Sequence, residues 1–537
     1  MLSGVYIKNF RCFKEVDLGL EKLTQLVGEN GTGKTAILEA INLCLSPSFL
    51  TSRFDEQDFN NADEGDIVIQ CYFNESFTVN LPDGYQSRPV PCNIVHLEVK
   101  RRSRSAPSKA LNDPFTINHF VVPDDSVSSK GEGKWTILRN SGTDFDFDTR
   151  RLSFPLTTEG LPRPFYFSKD RTKQAETGYA TTLNKIAIEY NWRFRKELEN
   201  IGESYLDQWE AINTTILDAV GAKKIKDTYS PIKKKLEDLL GSNFDNLELS
   251  MLNLEQPFTK SFLAKREGLN QVNQKGFGSG ISTITSFFLI ETIANLAKEE
   301  ILLLIDEPEM HLHPQLQVNF FKYISDIENQ LIFSTHSEHL IDFKLWFGIR
   351  RIDHNYRIHP DIETLNSKMQ FNDSSRPIKE HLEEFIEYYQ YKTIHIKENN
   401  QLFFGRKCVL VEGALDKYMI ERLSEFNIND LTIIPCYGKN KIFYYQMICK
   451  AFGIPYFTLF DTDDDGSTDT NKTLGENSFD GYCFSFKKSM ENCFGISSNT
   501  KHKGSKTIDL IDNSDSKKLA DEIAKCLELI HVFTTSY

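Results

Sequence analysis

The sequence predicts an α/β protein made of two successive α/β regions. Two observations predict it. Strand-like and helix-like segments alternate over the first 75 residues, the pattern of a sheet with helical crossovers. Continuous apolar runs at 301–305, 331–334 and 407–411 suit strands buried on both faces. The chain has 537 residues, with 62 Lys+Arg against 76 Asp+Glu, a net charge of −14. Hydrophobic residues make up 40% and charged residues 26%, which excludes a disordered chain, a collagen and a small disulfide scaffold. Taken alone, the acidity argues against nucleic acid as a partner.

The elements follow in order. Residues 5–10, 23–27 and 66–73 read as strands, and 35–44 as a helix. Residues 76–160 are rich in Pro, Ser, Asp and Gly, with a strand-like run at 92–99; 165–168 is another short strand. Residues 178–245 are rich in Lys, Glu, Leu and Ile at helical spacing and read as a helical insertion. Residues 379–391 form a helix within a mixed, polar stretch, and a second α/β region starts at 407. The expected segments are 1–177 and 246–368 for the first region, 178–245 for the insertion, 369–400 for a linker and 401–537 for the second region.

The ten cysteines form no CxxC pair, so neither a zinc knuckle nor a redox pair is indicated, and isolated cysteines suit a reducing cytosol. The N-terminus has no apolar signal core, and no run of about 18 apolar residues exists. A cytoplasmic protein without a membrane partner is expected.

Gly28-Glu-Asn30-Gly31-Thr-Gly33-Lys34-Thr35 matches GxxxxGK[ST], after a strand and at the start of a helix. Glycines let the backbone N–H groups curl toward phosphates, and the helix N-terminus adds positive potential. Lys34 is expected to reach the β- and γ-phosphates of ATP, and Thr35 to ligate Mg²⁺. Downstream, an apolar strand ends in Asp306 and Glu307. Buried acids there call for a cation. Asp306 would hold Mg²⁺ through water, and Glu307 would polarise the attacking water.

The residues around these motifs carry a resemblance. Asp306-Glu-Pro-Glu-Met-His-Leu-His-Pro314 resembles the Walker B and D-loop of ABC-type ATPases, the group of SMC, RecF and OLD proteins. Ser334-Thr-His336-Ser337 resembles their His switch, and Ile7-Lys-Asn-Phe-Arg-Cys-Phe13 their N-terminal strand. Gly276-Phe-Gly-Ser279-Gly280-Ile-Ser282 resembles the ABC signature, although it departs from LSGGQ. His311 and His313, one residue apart, read as structural or interface groups. The resemblance implies nucleotide contacts from Ser279, Gly280 and His336. It also implies at least a homodimer, because one chain's signature closes on the nucleotide of the other. The 178–245 insertion lies where relatives carry a dimerisation arm, and it is too short for an SMC coiled coil.

A second constellation is acidic. The strand at 407–411 ends in Glu412, followed by Gly413 and a helix bearing Asp416; the strand at 456–460 leads into Asp461-Thr-Asp463. Such an oxygen-rich set suits Mg²⁺ or Mn²⁺, and two such ions can clamp both oxygens of a phosphodiester displacement. An EF-hand is disfavoured, because the loop lacks its Gly and Glu in register. Glu–Gly followed by DxD resembles a Toprim domain, and Tyr437-Gly438-Lys439 fits it. No cysteine pairs exist for a primase zinc module, and no room remains for a topoisomerase cleavage domain.

An ABC-type ATPase followed directly by Toprim is the order of the OLD family, near the Gabija nuclease subunit and class 2 relatives. This implies a metal-dependent DNA endonuclease gated by ATP, of the kind found among anti-phage effectors. It implies metal ligation by Glu412, Asp416, Asp461, Asp463 and Glu491. Glu491 lies in Phe486-Lys-Lys-Ser489-Met-Glu491-Asn492, with Ser489 where relatives have Asp. A lysine completes such sites, and Lys518 is the candidate. Possible partners are DNA, a helicase, or a retron reverse transcriptase with its RNA–DNA product. An ATPase scaffold with a weak Toprim site and a RecF-like repair ATPase are the competing readings.

Basic residues cluster at Lys100–Lys109, at Lys223–Lys235 and at Lys501, Lys503 and Lys506. Each cluster can meet phosphates or remain a solvated face. The third lies nearest the acidic motif in sequence.

Overall fold

Gln25–Lys34, which includes the phosphate loop, groups with the C-terminal half of the chain. A computed structural model divides the protein into two units, Met1–Thr24 with Thr35–Thr335, and Gln25–Lys34 with His336–Tyr537. It describes residues 1–46, 53–60, 65–80, 89–101, 115–123, 158–168, 222–240, 247–250, 262–267, 270–273, 281, 284, 287–288, 300–310, 312–371, 374–387, 397–428, 431–462, 468–497, 500–514 and 519–536. No helix among the described residues is long and apolar enough to cross a membrane.

The first unit opens on β1 (Leu2–Phe10) and β2 (Phe13–Gly19), an antiparallel pair in which Ile7 faces Val16. β3 (Leu23–Gly28) starts here and enters the second unit at Gln25. α1 (Lys34–Leu45) buries Ile37, Leu38 and Ile41. β4 (Ile67–Asn80), β5 (Pro89–Arg101) and β6 (Phe115–Pro123) extend the sheet in the order β2-β1-β4-β5-β6, and β7 (Thr158–Glu159) pairs with β4. Val5, Ile7, Ile69, Cys71, Val95 and Leu97 are buried, as the strand period of two requires for one core face. The β2 strand was not expected, and β4 and β5 run past the expected 66–73 and 92–99.

β8 (Arg163–Phe167) lies parallel to a later strand. α2 (Ala222–Leu240) is the described part of the expected insertion, with Ile232, Leu236 and Leu239 buried on one face. β9 (Leu247–Ser250), β10 (Phe262–Glu267) and β11 (Asn270–Asn273) form a small antiparallel sheet. β12 (Ile301–Asp306) has all six residues buried. It runs parallel to β8 and to β13 (Gln330–Ser334), so that Asp306 faces Ser334. Between them α3 (Pro314–Ser325) starts with Pro at its first turn, capped by His313.

In the second unit β3 pairs in parallel with β14 (Ile349–Ile352), and β14 pairs with β15 (Ile358–His359). α4 (Ile362–Asn366), the hairpin of β16 (Lys368–Phe371) and β17 (Ser374–Pro377), and α5 (Ile378–Glu387) follow. Met369, Ile378, Leu382 and Phe385, from the segment expected as a linker, are buried in a core cluster with Leu402 and Cys408.

A four-stranded parallel sheet then has the order β19-β18-β20-β21, from β18 (Lys407–Val411), β19 (Leu431–Pro435), β20 (Tyr456–Asp461) and β21 (Cys483–Phe486). Cys408, Leu410, Tyr456 and Phe460 join one core cluster, while Val409, Val411, Phe457 and Leu459 join another. The alternation places a core on each face of the sheet. α6 (Ala414–Leu423) and α11 (Asp521–Ser536) supply Met419, Ile420, Cys526 and Ile530 to one core; α7 (Lys439–Ala451) supplies Ile442, Tyr445 and Ile448 to the other. α8 (Thr468–Glu476), the short α9 (Met490–Cys493) and α10 (Lys503–Asp512) complete the unit.

Arg351 on β14 is 2% exposed. Its guanidinium donates to the carbonyls of Phe403 (3.3 Å), Gly405 (3.0 Å), Phe452 (3.1 Å) and Gly453 (3.1 Å). These residues immediately precede β18 and β20 in the chain. Arg351→Met leaves four carbonyls without that donor. Its expected cost is about 3 kcal/mol or more, read by urea unfolding of the full chain. A loss below about 1 kcal/mol would contradict the role assigned to this side chain.

Candidate phosphate-loop and acidic sites

In the second unit the loop leaves β3 at Gly28, whose φ is 135°, and turns through Gly31 (φ 78°) and Gly33 (φ 95°). A Cβ on Gly28 would stand 2.3 Å from the Ile352 carbonyl oxygen, so glycine is required where β3 meets β14. Lys34 is 5% exposed, and its ammonium donates to the carbonyls of Gly28 (2.9 Å) and Glu29 (2.5 Å). Asn30 lies in the same turn. His336 lies 5.9 Å, ring to ring, from Phe404.

In the first unit Thr35 Oγ1 donates to Asp306, 3.0 Å from Oδ1 and 2.9 Å from Oδ2. Ser334 also donates to Asp306 Oδ1 (2.5 Å). Asp306 is fully buried, so two hydroxyls satisfy a carboxylate that water does not reach. Glu307 follows in the left-handed region (φ 48°), its N–H donating to the Ser334 carbonyl (3.1 Å) and hydroxyl (3.0 Å). Hydroxyl and carboxylate thus stand side by side, oxygen donors of the kind that could hold a divalent cation. Ser279 and Gly280 lie outside the described residues, as does His311.

The acidic site sits at the C-terminal ends of β18 and β20. Two buried strands side by side leave charge only at their ends, and there Glu412 and Asp461 meet: Asp461 N lies 3.5 Å from Glu412 Oε2. Asp416, one turn into α6, accepts from the Gly413 N–H at 2.8 Å. Asp461 Oδ1 accepts from the Met490 N–H at 3.0 Å, which ties β20 to the start of α9 and brings Glu491 to the site. Burial pushes the Asp416 carboxyl up to about 7, with Glu412 and Glu491 adding to the rise against the Gly413 hydrogen bond. Burial, then the charges of Asp416 and Glu412, push Asp461 up to about 8.

Glu491 behaves oppositely. Burial would raise its carboxyl, but Lys503 on α10, 3.0 Å from Oε1, together with backbone and Ser489 hydrogen bonds, holds the group below its ordinary value. The candidates Asp463 and Lys518 lie outside the described residues. Lys503 belongs to the basic cluster nearest the acidic motif in sequence, expected as a phosphate contact and not as the partner of Glu491. Lys439, 8% exposed at the start of α7, follows Gly438, whose N–H donates to the Glu412 carbonyl at 2.9 Å.

Among the described residues no three His, Cys, Asp or Glu side chains already stand at a spacing that would hold a metal ion. The donor chemistry fits one nonetheless. Four carboxylates act on one another, and burial and mutual charge raise the pKa of Asp416 and Asp461, a conflict that a divalent cation relieves.

Residues 1–341 match the AAA ATPase domain family, and residues 403–463 match the overcoming lysogenization defect protein-like TOPRIM domain. The chain is 24% identical to the OLD nuclease of Thermus scotoductus over 479 residues, 86% of this chain and 82% of that protein. It is 24% identical to the Old nuclease of Escherichia phage P2 over 505 residues, 86% of this chain and 77% of the other. With endonuclease GajA of Bacillus cereus (strain HuB5-5) it shares 23% identity over 339 residues, 56% of this chain and 46% of that one. The expected order of ATPase then Toprim is therefore present, and it implies use of a nucleotide and a divalent metal.

The raised acids give a pH dependence of known sign. A carboxyl with a higher pKa folded than unfolded binds more protons when folded, so stability is lost as pH rises through the folded value. For Asp416 and Asp461 the window runs from the ordinary carboxylate range to about 8. The melting temperature of chelator-treated protein is expected to fall from pH 5 to 8.5, and divalent metal to flatten the slope. A metal-free melting temperature constant across this range would contradict the assignment.

Proposed function

The chain belongs to the AAA ATPase domain family and carries an OLD-like TOPRIM domain, and on that premise we propose that it is an ATP-regulated, metal-dependent DNA endonuclease. The observation that carries the reading is the grouping of Glu412 and Asp461, at the ends of two adjacent buried strands, with Asp416 on α6 and Glu491 on α9. A solvated surface gives no reason to bury acids together at that cost. The nuclease names of its relatives support the same reading.

In this proposal Glu412, Asp416, Asp461 and Glu491 hold Mg²⁺ or Mn²⁺, joined by Asp463. Bound divalent ions supply Lewis acidity and a nucleophilic water at neutral pH. Asp461 and Glu412 fix the spacing of the donors through the two strands. Lys503 keeps Glu491 ionised and brings positive charge to the side from which a phosphate approaches. Lys518 is the other cation proposed for that role.

At the phosphate loop Lys34 would bind ATP phosphates, with Asn30, Gly31 and Gly33 shaping the loop. Thr35 and Asp306 would hold Mg²⁺, and Glu307 would orient water. Ser279, Gly280 and His336 would complete the nucleotide contacts in a homodimer built through the helical insertion. Residues 1–177 and 246–368 would form the ATPase, and 401–537 the Toprim domain. The proposed setting is cytoplasmic phage defence, alone or with a helicase or a retron reverse transcriptase.

The test is cleavage of plasmid by full-length protein with Mg²⁺ or Mn²⁺, with and without ATP. Glu412→Ala is expected to lower the rate by about 100-fold or more, since it removes a metal ligand common to the site. Equal cutting by wild type and Glu412→Ala would refute nuclease activity at this site. Lys34→Ala is expected to abolish the difference ATP makes. A full ATP response in that variant would refute gating through the loop.

A further inference from the structure

The phosphate loop has a direct connection to the strands that carry the acids. Glu29 is the second residue of the loop, and its side chain is 18% exposed. Nε of Arg406 reaches both of its carboxylate oxygens, at 3.0 Å and 2.9 Å. Arg406 is the residue immediately before β18, the strand that ends in Glu412. The two partners lie 377 positions apart in sequence.

A second connection lies behind the first. β14 pairs with β3 so that Arg351 faces Val27, next to the loop. The Arg351 guanidinium grips the carbonyls of Phe403 and Gly405, just ahead of β18, and of Phe452 and Gly453, just ahead of β20. β18 and β20 are neighbours in register, and each ends at an acid of the candidate metal site. A shift at the starts of these strands is carried along short, fully packed segments to Glu412 and Asp461. Packed strands move as units, because their interiors tolerate little deformation.

The loop itself has two alternative sets of acceptors for one ammonium. Lys34 donates to the Gly28 and Glu29 carbonyls, and ATP phosphates compete for the same protons. Drawing Lys34 toward phosphate leaves the Glu29 carbonyl with the Thr32 hydroxyl (3.0 Å) in place of two donors, which loosens the restraint on the residue that Arg406 holds.

We propose that the Glu29–Arg406 pair, backed by the Arg351 clamp, is the relay through which nucleotide at the phosphate loop sets the positions of the β18 and β20 acids. Arg406 is a positioning residue in this relay. Its position ahead of β18, away from the acid-bearing end, leaves the acids themselves intact when it is changed. The proposal rests on the nuclease reading only for what the relay controls; the coupling is measurable without cleavage.

The experiment is hydrogen–deuterium exchange of the full chain with and without ATPγS and Mg²⁺, in wild type, Arg406→Ala and Arg406→Lys. In wild type, nucleotide is expected to change exchange in residues 28–34, and in 403–411 and 456–461 by about two-fold or more. In Arg406→Ala the loop response should persist while the strand response falls to about a third or less, with Arg406→Lys between the two. Plasmid cutting without ATP should stay within about two-fold of wild type, and the ratio of rates with and without ATP should move toward one. A strand response in Arg406→Ala equal to wild type overturns the relay, as does a wild type whose loop responds while its strands do not. Loss of the strand response in Arg406→Ala, with no cutting by wild type, leaves the relay standing and refutes the nuclease reading.

Discussion

A strand buried on both faces can carry charge only where it ends. β18 and β20 are such strands, with separate cores on their two sides. That constraint decides where the chemistry sits. Every interior position of β18 is buried, so Glu412 falls at the first place beyond the sheet where a carboxylate is tolerable. Asp461 occupies the corresponding place on β20, and parallel register brings the two side by side. β12 repeats the arrangement in the first unit, with six buried residues ending in Asp306. There the carboxylate is satisfied by the hydroxyls of Thr35 and Ser334, whereas the second site gathers acids that repel. The difference separates a carboxylate already satisfied by hydroxyls from a site that concentrates negative charge.

The net charge of −14 takes its meaning from this distribution. In the proposed reading Asp306 and Glu307 would serve one site and Glu412, Asp416, Asp461 and Glu491 the other, so part of the acidity would be equipment for binding cations. Divalent metal reverses the field a phosphodiester meets. Lys503 contributes in the same direction, because an ammonium 3.0 Å from Glu491 offsets one carboxylate before metal arrives. An acidic chain and a polyanionic ligand are thus compatible where cations are local.

Both sites were legible in the sequence because their chemistry is written in short, contiguous runs. Gly28–Thr35, the apolar run into Asp306, and the run into Glu412 each state a strand, a turn and a functional group within about ten residues. What escaped depends on tertiary packing. The β2 strand carries Phe13, Val16 and Leu18 inward, but charged residues between them obscured the alternation. The polar composition of 369–400 suggested a linker, although Ile378, Leu382 and Phe385 have the spacing of one helical face and are buried. Lys503 stands 3.0 Å from Glu491, while the candidate Lys518 lies outside the described residues. No periodicity in the sequence marks which lysine a fold brings beside a given acid. The Arg406–Glu29 pair spans almost the length of the chain and has no local signature.

The grouping of Gln25–Lys34 with the C-terminal half follows from the same packing. Val27 is buried in one core cluster with Leu410 of β18 and Tyr456 of β20, and Arg351 joins the starts of both strands beside β3. A loop that binds phosphates through its backbone must be rigid to hold its N–H groups in place, and here its support is the scaffold of the acids. Sequence order places the loop with the ATPase, and packing places it with the Toprim strands. In the proposed relay, a nucleotide that reshapes such a loop would act on the core that Val27 shares with β18 and β20.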